Sequence, residues 1–119
     1  MAKLDLNPLA AIDGFIGASL VDSDSGMALA KMGGGNIDLD IASSGNAEVL
    51  KAKRRVAATL KLNETIDDIL VSLERQYHIV RPLERNETLF LYLVLDRNKS
   101  NLAMARHELK AFEKNLDFS

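Results

Sequence analysis

Residues 65–95 read TIDDILVSLERQYHIVRPLERNETLFLYLVL, and this run decides the class of fold. Its end, Leu89 to Leu95, is an unbroken apolar stretch. A strand covered on both faces reads this way, whereas a strand with one wet face alternates. Upstream, Ile69, Val71 and Leu73 alternate with Asp68, Leu70, Ser72 and Glu74, the pattern of an edge or half-covered strand. These patterns predict a strand over Thr65 to Arg75, a reversal at Gln76 and a further strand over Tyr77 to Leu83. Pro82 has no amide hydrogen, so it belongs where ladder pairing stops. Arg85-Asn86-Glu87 then turns the chain into the apolar strand. Strands joined by such short reversals run antiparallel.

Outward from this run, Phe15 to Asp22 is a second continuous apolar strand, relieved only by Gly17 and Ser19. Ser23-Asp24-Ser25-Gly26 turns it into a strand over Met27 to Met32, and Gly33-Gly34-Gly35-Asn36 ends that hairpin. From Asp38 to about Leu62 the period becomes helical. Ala42, Gly45, Val49, Ala52, Val56 and Leu60 recur three or four residues apart, which predicts the face that packs on the sheet. Leu4 to Asp13 reads as a short helix, with Pro8 in its first turn and Asn7 as candidate cap. Leu102, Ala105, Leu109, Phe112 and Leu116 form a last helix that Ser100 or Asn101 can cap. The order is helix, strand, strand, helix, strand, strand, strand, helix. This is an α+β layered fold, with the middle helix on one face of the sheet and the terminal helices on the other. Residues 1–119 make one domain, a length that supports a single core without disulfides or metals.

Composition narrows the function. A chain 47% hydrophobic and 27% charged is an ordinary globular one. A formal charge of −2 gives no drive toward nucleic acid or an anionic membrane. With no cysteine, thiolate nucleophiles and Cys-based zinc sites are excluded. Asp5, Asp13, Gly14 and Gly17 break up the first 21 residues, so no signal peptide is expected there. No apolar run approaches the roughly 20 residues that span a bilayer. The cytoplasm is the expected location, and the three Asn-x-Ser/Thr triplets at Asn63, Asn86 and Asn98 are chance matches.

The residue types that carry chemistry do not converge. His78 and His107 stand alone, without the spacing zinc requires. Asp22-Ser23-Asp24-Ser25-Gly26 has its glycine one position early for a calcium loop, and Gly33 stands where the bidentate glutamate belongs. No Gly-Lys-Ser/Thr follows the triple glycine, and Asp38 and Asp40 would repel a phosphate there. Asp67 and Asp68 point to opposite faces of a strand. Lys51, Lys53, Arg54 and Arg55 wrap round the helix instead of lining one side. No Gly-x-Ser-x-Gly elbow occurs. No catalytic residue, metal or cofactor is therefore expected.

The ordered punctuation resembles that of the Roadblock/dynein light chain family, bacterial type, over nearly the whole chain. The likeness is carried by Asp13-Gly14 before a strand ending Leu20-Val21-Asp22, the Gly26 turn, and Met27 to Met32 running into Gly33-Gly34-Gly35. It continues in Ile79-Val80-Arg81-Pro82-Leu83 and in Leu89 to Leu95 followed by Asn101-Leu102. The first helix is shorter than is usual in the family. The resemblance implies a five-stranded antiparallel sheet between helices, a Roadblock/profilin-like arrangement. It also implies homodimers in which third strands pair edge to edge and middle helices lie side by side. Such proteins act without chemistry of their own, as regulators or scaffolds of small Ras-like GTPases or as light chains of dynein motors.

The residues support an interface on their own account. Ile69, Leu70, Val71, Ser72 and Leu73 carry no charge and no proline, the two usual guards of an exposed edge. With Ala42, Gly45 and Ala52 assigned to the sheet, the rest of the middle helix is left for a second copy, through Ala47, Leu50, Arg54 and Ala57. The expected partners are the chain itself and a small Ras-like GTPase, with no nucleic acid and no membrane insertion. The alternatives are a purely structural scaffold or light-chain-like adaptor, and a small-molecule sensor or enzyme. The last needs a pocket with convergent polar groups that no set of residues announces.

Overall fold

Leu89–Asp96 is the axle of the structure, a strand whose side chains are buried on both faces except at its last residue. The computed structural model describes residues 4–116. Its strands are β1 (Phe15–Asp22), β2 (Ala28–Gly33), β3 (Ile69–Ser72), β4 (Gln76–Pro82) and β5 (Leu89–Asp96). They form one sheet in the order β2-β1-β5-β4-β3, every pair antiparallel. The two unbroken apolar runs thus lie side by side within the sheet, as their sequence predicts.

The helices α1 (Leu39–Thr59) and α2 (Leu102–Lys114) take opposite faces. On one face, Leu20, Ile79, Leu91, Leu93 and Leu95 pack with Leu9 and Ile12 near the N-terminus and with Ala105, Leu109 and Phe112 of α2. On the other, Val21, Val80, Phe90, Tyr92 and Val94 pack with Leu39, Ala47 and Leu50 of α1. Alternation along β5 divides its side chains between the two layers.

Local chemistry sets the boundaries. The Asp38 side chain caps α1, accepting from the amides of Asp40 and Ile41 at 3.0 and 3.1 Å. Asn101, one of the two expected caps, does the same for α2 through the Met104 amide at 3.0 Å. Gly26 adopts a φ of +76° in the β1–β2 turn, where the Asp22 carboxylate accepts from Asp24 N–H and from the Ser25 hydroxyl. A Cβ on Gly17 would meet the Gly34 nitrogen at 2.6 Å, so strand and crossover loop touch there through backbone alone.

Four expectations are corrected. The first helix is only a 3-10 turn over Asn7–Ala11, and Asn7 lies inside it, not at its cap. The third strand covers only Ile69–Ser72, and residues 62–68, with Asn63 at a φ of +54°, do not join the ladder. The reversal falls at Glu74 and Arg75, and Gln76 already belongs to β4. The faces of α1 are exchanged: Leu39, Ser43, Ala47 and Leu50 meet the sheet, while Gly45, Val49, Val56 and Leu60 are exposed.

One buried polar cluster ties the α2 layer to the sheet. Arg81 on β4 and Glu113 on α2 are both buried, with Arg81 Nε 3.2 Å from Glu113 Oε1. Glu113 Oε2 also accepts the Glu84 amide at 2.7 Å, and Arg85 donates to the carbonyls of Glu113 and Leu116. Removing one member of such a pair strands the other charge in the interior. Glu113→Ala is expected to cost about 3–5 kcal/mol, read as a lower urea midpoint at unchanged slope.

Candidate self-association surface

The sheet has two ends, and they differ. At the β2 end, Lys31 on the strand is held by Asp40 of α1 at 2.9 Å, and the β1–β2 register shifts between Leu20 and Val21. Charge and irregularity are the usual guards of an edge. At the β3 end, β4 lies on one side and, among the described residues, no strand lies on the other. The Leu73 amide donates to the Gln76 carbonyl at 2.8 Å. With the pairing Val71↔His78 and Ile69↔Val80, the backbone groups of Ile69, Val71 and Leu73 are turned toward β4. Those of Leu70 and Ser72 are turned to the open side.

Side chains on both flanks hold this edge in place. Arg106 of α2 forks onto the Asp68 carboxylate at 2.8 and 3.2 Å. Arg81 reaches Asp67 at 3.5 Å, and Arg97 donates to the Leu73 carbonyl at 3.1 Å. Asp68, shielded from solvent, is thus an anchor of the strand entry, while the Asp67 side chain stays in solvent beside Arg81.

The exposed side chains of α1 lie toward the same end. Its residues fall into three stripes. Leu39, Ser43, Ala47 and Leu50 face the sheet. Asp40, Ser44, Glu48, Lys51 and Arg55 form a polar flank on the β2 side, where Asp40 meets Lys31 and Lys51 donates to the Asp24 carbonyl at 3.0 Å. Ile41, Gly45, Val49, Ala52, Val56 and Leu60 form the remaining flank, with Ile41 72%, Val56 48% and Leu60 61% exposed. The polar flank is tied to the β2 side and the last turns of α1 share a groove with Ile66 and Pro82, so the apolar flank lies toward the β4–β3 side of the sheet. Val71 and Leu73, 39% and 43% exposed, lie on the same face by alternation from Ile69, which packs with the α1 layer.

The expected interface residues are therefore divided. Ile69 and Leu70 are half-buried, and Val71, Ser72 and Leu73 are exposed at the edge. Ala47 and Leu50 are 1% and 0% exposed against their own sheet, so they are not available to a second copy. Arg54 and Ala57 line a groove of about 850 Å³ under the last turns of α1, with Lys61, Ile66 and Pro82 among the other walls. Arg54 crosses part of it to donate to the Glu87 carbonyl at 2.8 Å. Sequence reasoning missed Ile41, Val49, Val56 and Leu60 as surface. The signal for them is the presence of two apolar stripes on one helix, since a single sheet can take only one.

His78 lies at the seam between β3 and α1. Its Nδ1 is 3.0 Å from the Tyr92 hydroxyl and its Nε2 is 2.9 Å from Gln76 Oε1. Burial lowers its pKa from the ordinary value, and burial pushes the Tyr92 hydroxyl up to about 12. Both rings are held by neighbours, which is a structural use of a histidine. His107 is exposed on α2. Among the described residues no group of three or more His, Asp or Glu side chains is placed to hold a metal. Among them, too, no helix is long and apolar enough to cross a membrane.

No family model matches the sequence, and no curated protein matches it. Solved structures do. A Roadblock/LC7 domain from Streptomyces avermitilis is 14% identical, with a TM-score of 0.78 over 91% of this chain and 87% of that one. An MglB in a tetrameric arrangement is 21% identical, with a TM-score of 0.78 over 92% and 79%. The gliding protein MglB of Thermus thermophilus is 20% identical, with a TM-score of 0.70 over 92% and 85%. The chain has the Roadblock-type fold.

The sign of the His78 effect follows from its lowered pKa. The unfolded chain takes up a proton near pH 6.5 and the folded chain resists it. Stability is full above about pH 6.5 and falls as the pH drops from there toward the lower folded value. Urea midpoints measured between pH 7.5 and 5 should decline for the parent and decline less for His78→Gln.

Proposed function

We propose that this chain is a non-enzymatic interaction module that works as a homodimer and regulates a small Ras-like GTPase. The observation that carries the dimer is the meeting of two unsatisfied features on one face. An uncharged strand edge presents free backbone groups at Leu70 and Ser72. Beside it runs an apolar helix flank from Ile41 to Leu60 that stands exposed instead of packing on its own sheet. A second copy related by a two-fold axis supplies both missing partners at once, because an isologous interface offers strand to strand and flank to flank.

The fold likeness supports this reading, since a protein of the same fold is described in a tetrameric arrangement. The GTPase comes from the resemblance to Roadblock proteins and rests on analogy of fold. The absence of a convergent constellation around His78, together with the satisfied roles of Asp67, Asp68 and Arg81, favours binding over chemistry. The whole chain then serves as one unit, with the polar flank of α1 left outside the dimer interface.

Light scattering after size exclusion should give twice the monomer mass. Ser72→Pro removes a backbone donor from the open side of the strand and should give monomer or insoluble protein. Val56→Asp should weaken the dimer by about tenfold or more while leaving the urea midpoint of the dissociated chain nearly unchanged. A pull-down with the GTPase loaded with GTP or GDP separates a regulator, which discriminates between the two, from a passive scaffold, which does not.

A further inference from the structure

We propose that the open β3 edges pair in a single register, with the two-fold axis passing through Val71 and with Arg75 of each copy meeting the acidic mouth at Asp67 of the other. The inference rests on the homodimer reading and specifies which residues face which.

Three constraints lead to it. The first is parity. If both α1 helices are to lie on one side of the joined sheet, residues opposite each other must share a face, so the axis must pass through a residue and not between two. The second is the direction of the backbone groups. Only Leu70 and Ser72 of the strand turn theirs outward, as the Leu73–Gln76 hydrogen bond and the β3–β4 register dictate. Centred on Val71, Leu70 lies opposite Ser72 of the second copy, and each pair exchanges both of its bonds. Centring on Leu70 or on Ser72 sets one of these residues against Asp68 or Glu74, which lie outside the strand.

The third constraint is side-chain chemistry on the α1 face. Centred on Val71, the two Val71 side chains touch and Ile69 lies opposite Leu73, while beyond the strand ends Arg75 of one copy comes alongside Asp67 of the other. Every one of these pairs is complementary. Moving the centre to Leu70 places Leu73 against Asp67, and moving it to Ser72 places Ile69 against Arg75. Both moves carry an apolar side chain of β3 past the end of the other copy's strand. The groove beside the strand strengthens the third constraint. Asp67, Glu64 and Glu84 lie on its wall, and the side chain of Asp67 is 89% exposed although it leans toward Arg81. At the opposite end Arg75 stands exposed beside Glu74 at the hairpin tip, and Arg97 is bonded to the Leu73 carbonyl. Antiparallel pairing brings Arg75 of one copy to Asp67 of the other, twice per dimer.

The chain has no cysteine, so single introduced cysteines report the register without background. In the proposed register Val71 faces its own counterpart across a non-hydrogen-bonded position. The α-carbons there are about 4.5 Å apart, close enough for a disulfide. Val71→Cys should oxidise to a covalent dimer. Ile69→Cys and Leu73→Cys should each stay uncrosslinked alone and crosslink when mixed. A dimer in which Ile69→Cys or Leu73→Cys couples to itself, or in which Val71→Cys does not, overturns the register. A wild-type chain that scatters as a monomer overturns the homodimer reading itself, so the two failures are distinguishable.

A double-mutant cycle tests the ion pair separately. Asp67→Asn and Arg75→Gln should each raise the dissociation constant about tenfold, and the double variant no further. Fully additive effects would mean that the two side chains do not meet.

Discussion

A sheet cannot end without exposing a row of amides and carbonyls, and every open sheet has two ends at which this must be managed. In this chain the constraint is met in two ways. At β2, a lysine held by Asp40 and a shift of register make the edge a poor template. At β3 neither device is present, although the strand sits on a scaffold rigid enough to have carried one. The asymmetry is informative because both edges belong to one sheet with one central strand. What differs between them is not the demand but the means of meeting it.

The β3 edge is exposed and yet firmly placed. The residues just before it gain no ladder bonds, so their position comes from side chains: Arg106 on Asp68, and Arg81 on Asp67. Arg81 is itself fixed by Glu113, and Glu113 belongs to the far end of α2. The α2 layer thus sets the position of the edge from the face opposite α1. A buried ion pair gives little net stability against an apolar substitute. Its geometry, however, has a single good solution, and in the proposed dimer a fixed edge matters more than added stability.

Much of this organisation is visible in the sequence, and the part that is not has identifiable causes. The unbroken apolar runs at Phe15 to Val21 and Leu89 to Leu95 can only be interior strands, and the alternation at Ile69 to Leu73 marks an edge. Those readings depend on patterns a few residues long. The faces of α1 could not be ordered in the same way, because the helix carries two apolar stripes and the bulkier one points away from the sheet. The sheet side uses small residues instead. Ser43 and Ser19 sit with their hydroxyls 2.8 Å apart, a contact possible only where helix and strand approach closely. The Arg81–Glu113 pair spans 32 residues of sequence, and nothing local to either residue announces the other. The same holds for Arg106 and Asp68.

The two exposed features of the α1 side make unequal contributions, and their magnitudes assign them different tasks. A backbone hydrogen bond exchanged for water adds about 0.5–1.5 kcal/mol. Two residues per edge therefore give a few kcal/mol, against an association cost of about 4–15 kcal/mol. The strand alone does not hold a dimer together. Burying an exposed Ile, Leu or Val contributes up to about 1.5–3 kcal/mol each. Ile41, Val49, Val56, Leu60, Val71 and Leu73 are all partly or largely exposed, and a two-fold axis counts them twice. The helix flank therefore supplies the affinity in the proposed dimer. An apolar flank by itself has no preferred orientation, since the hydrophobic effect is non-directional. The ladder supplies what the flank lacks, because a slip of one residue would turn every side chain of β3 to the wrong face. Affinity and orientation thus come from different elements, and the short strand matters less for its strength than for the single arrangement it permits.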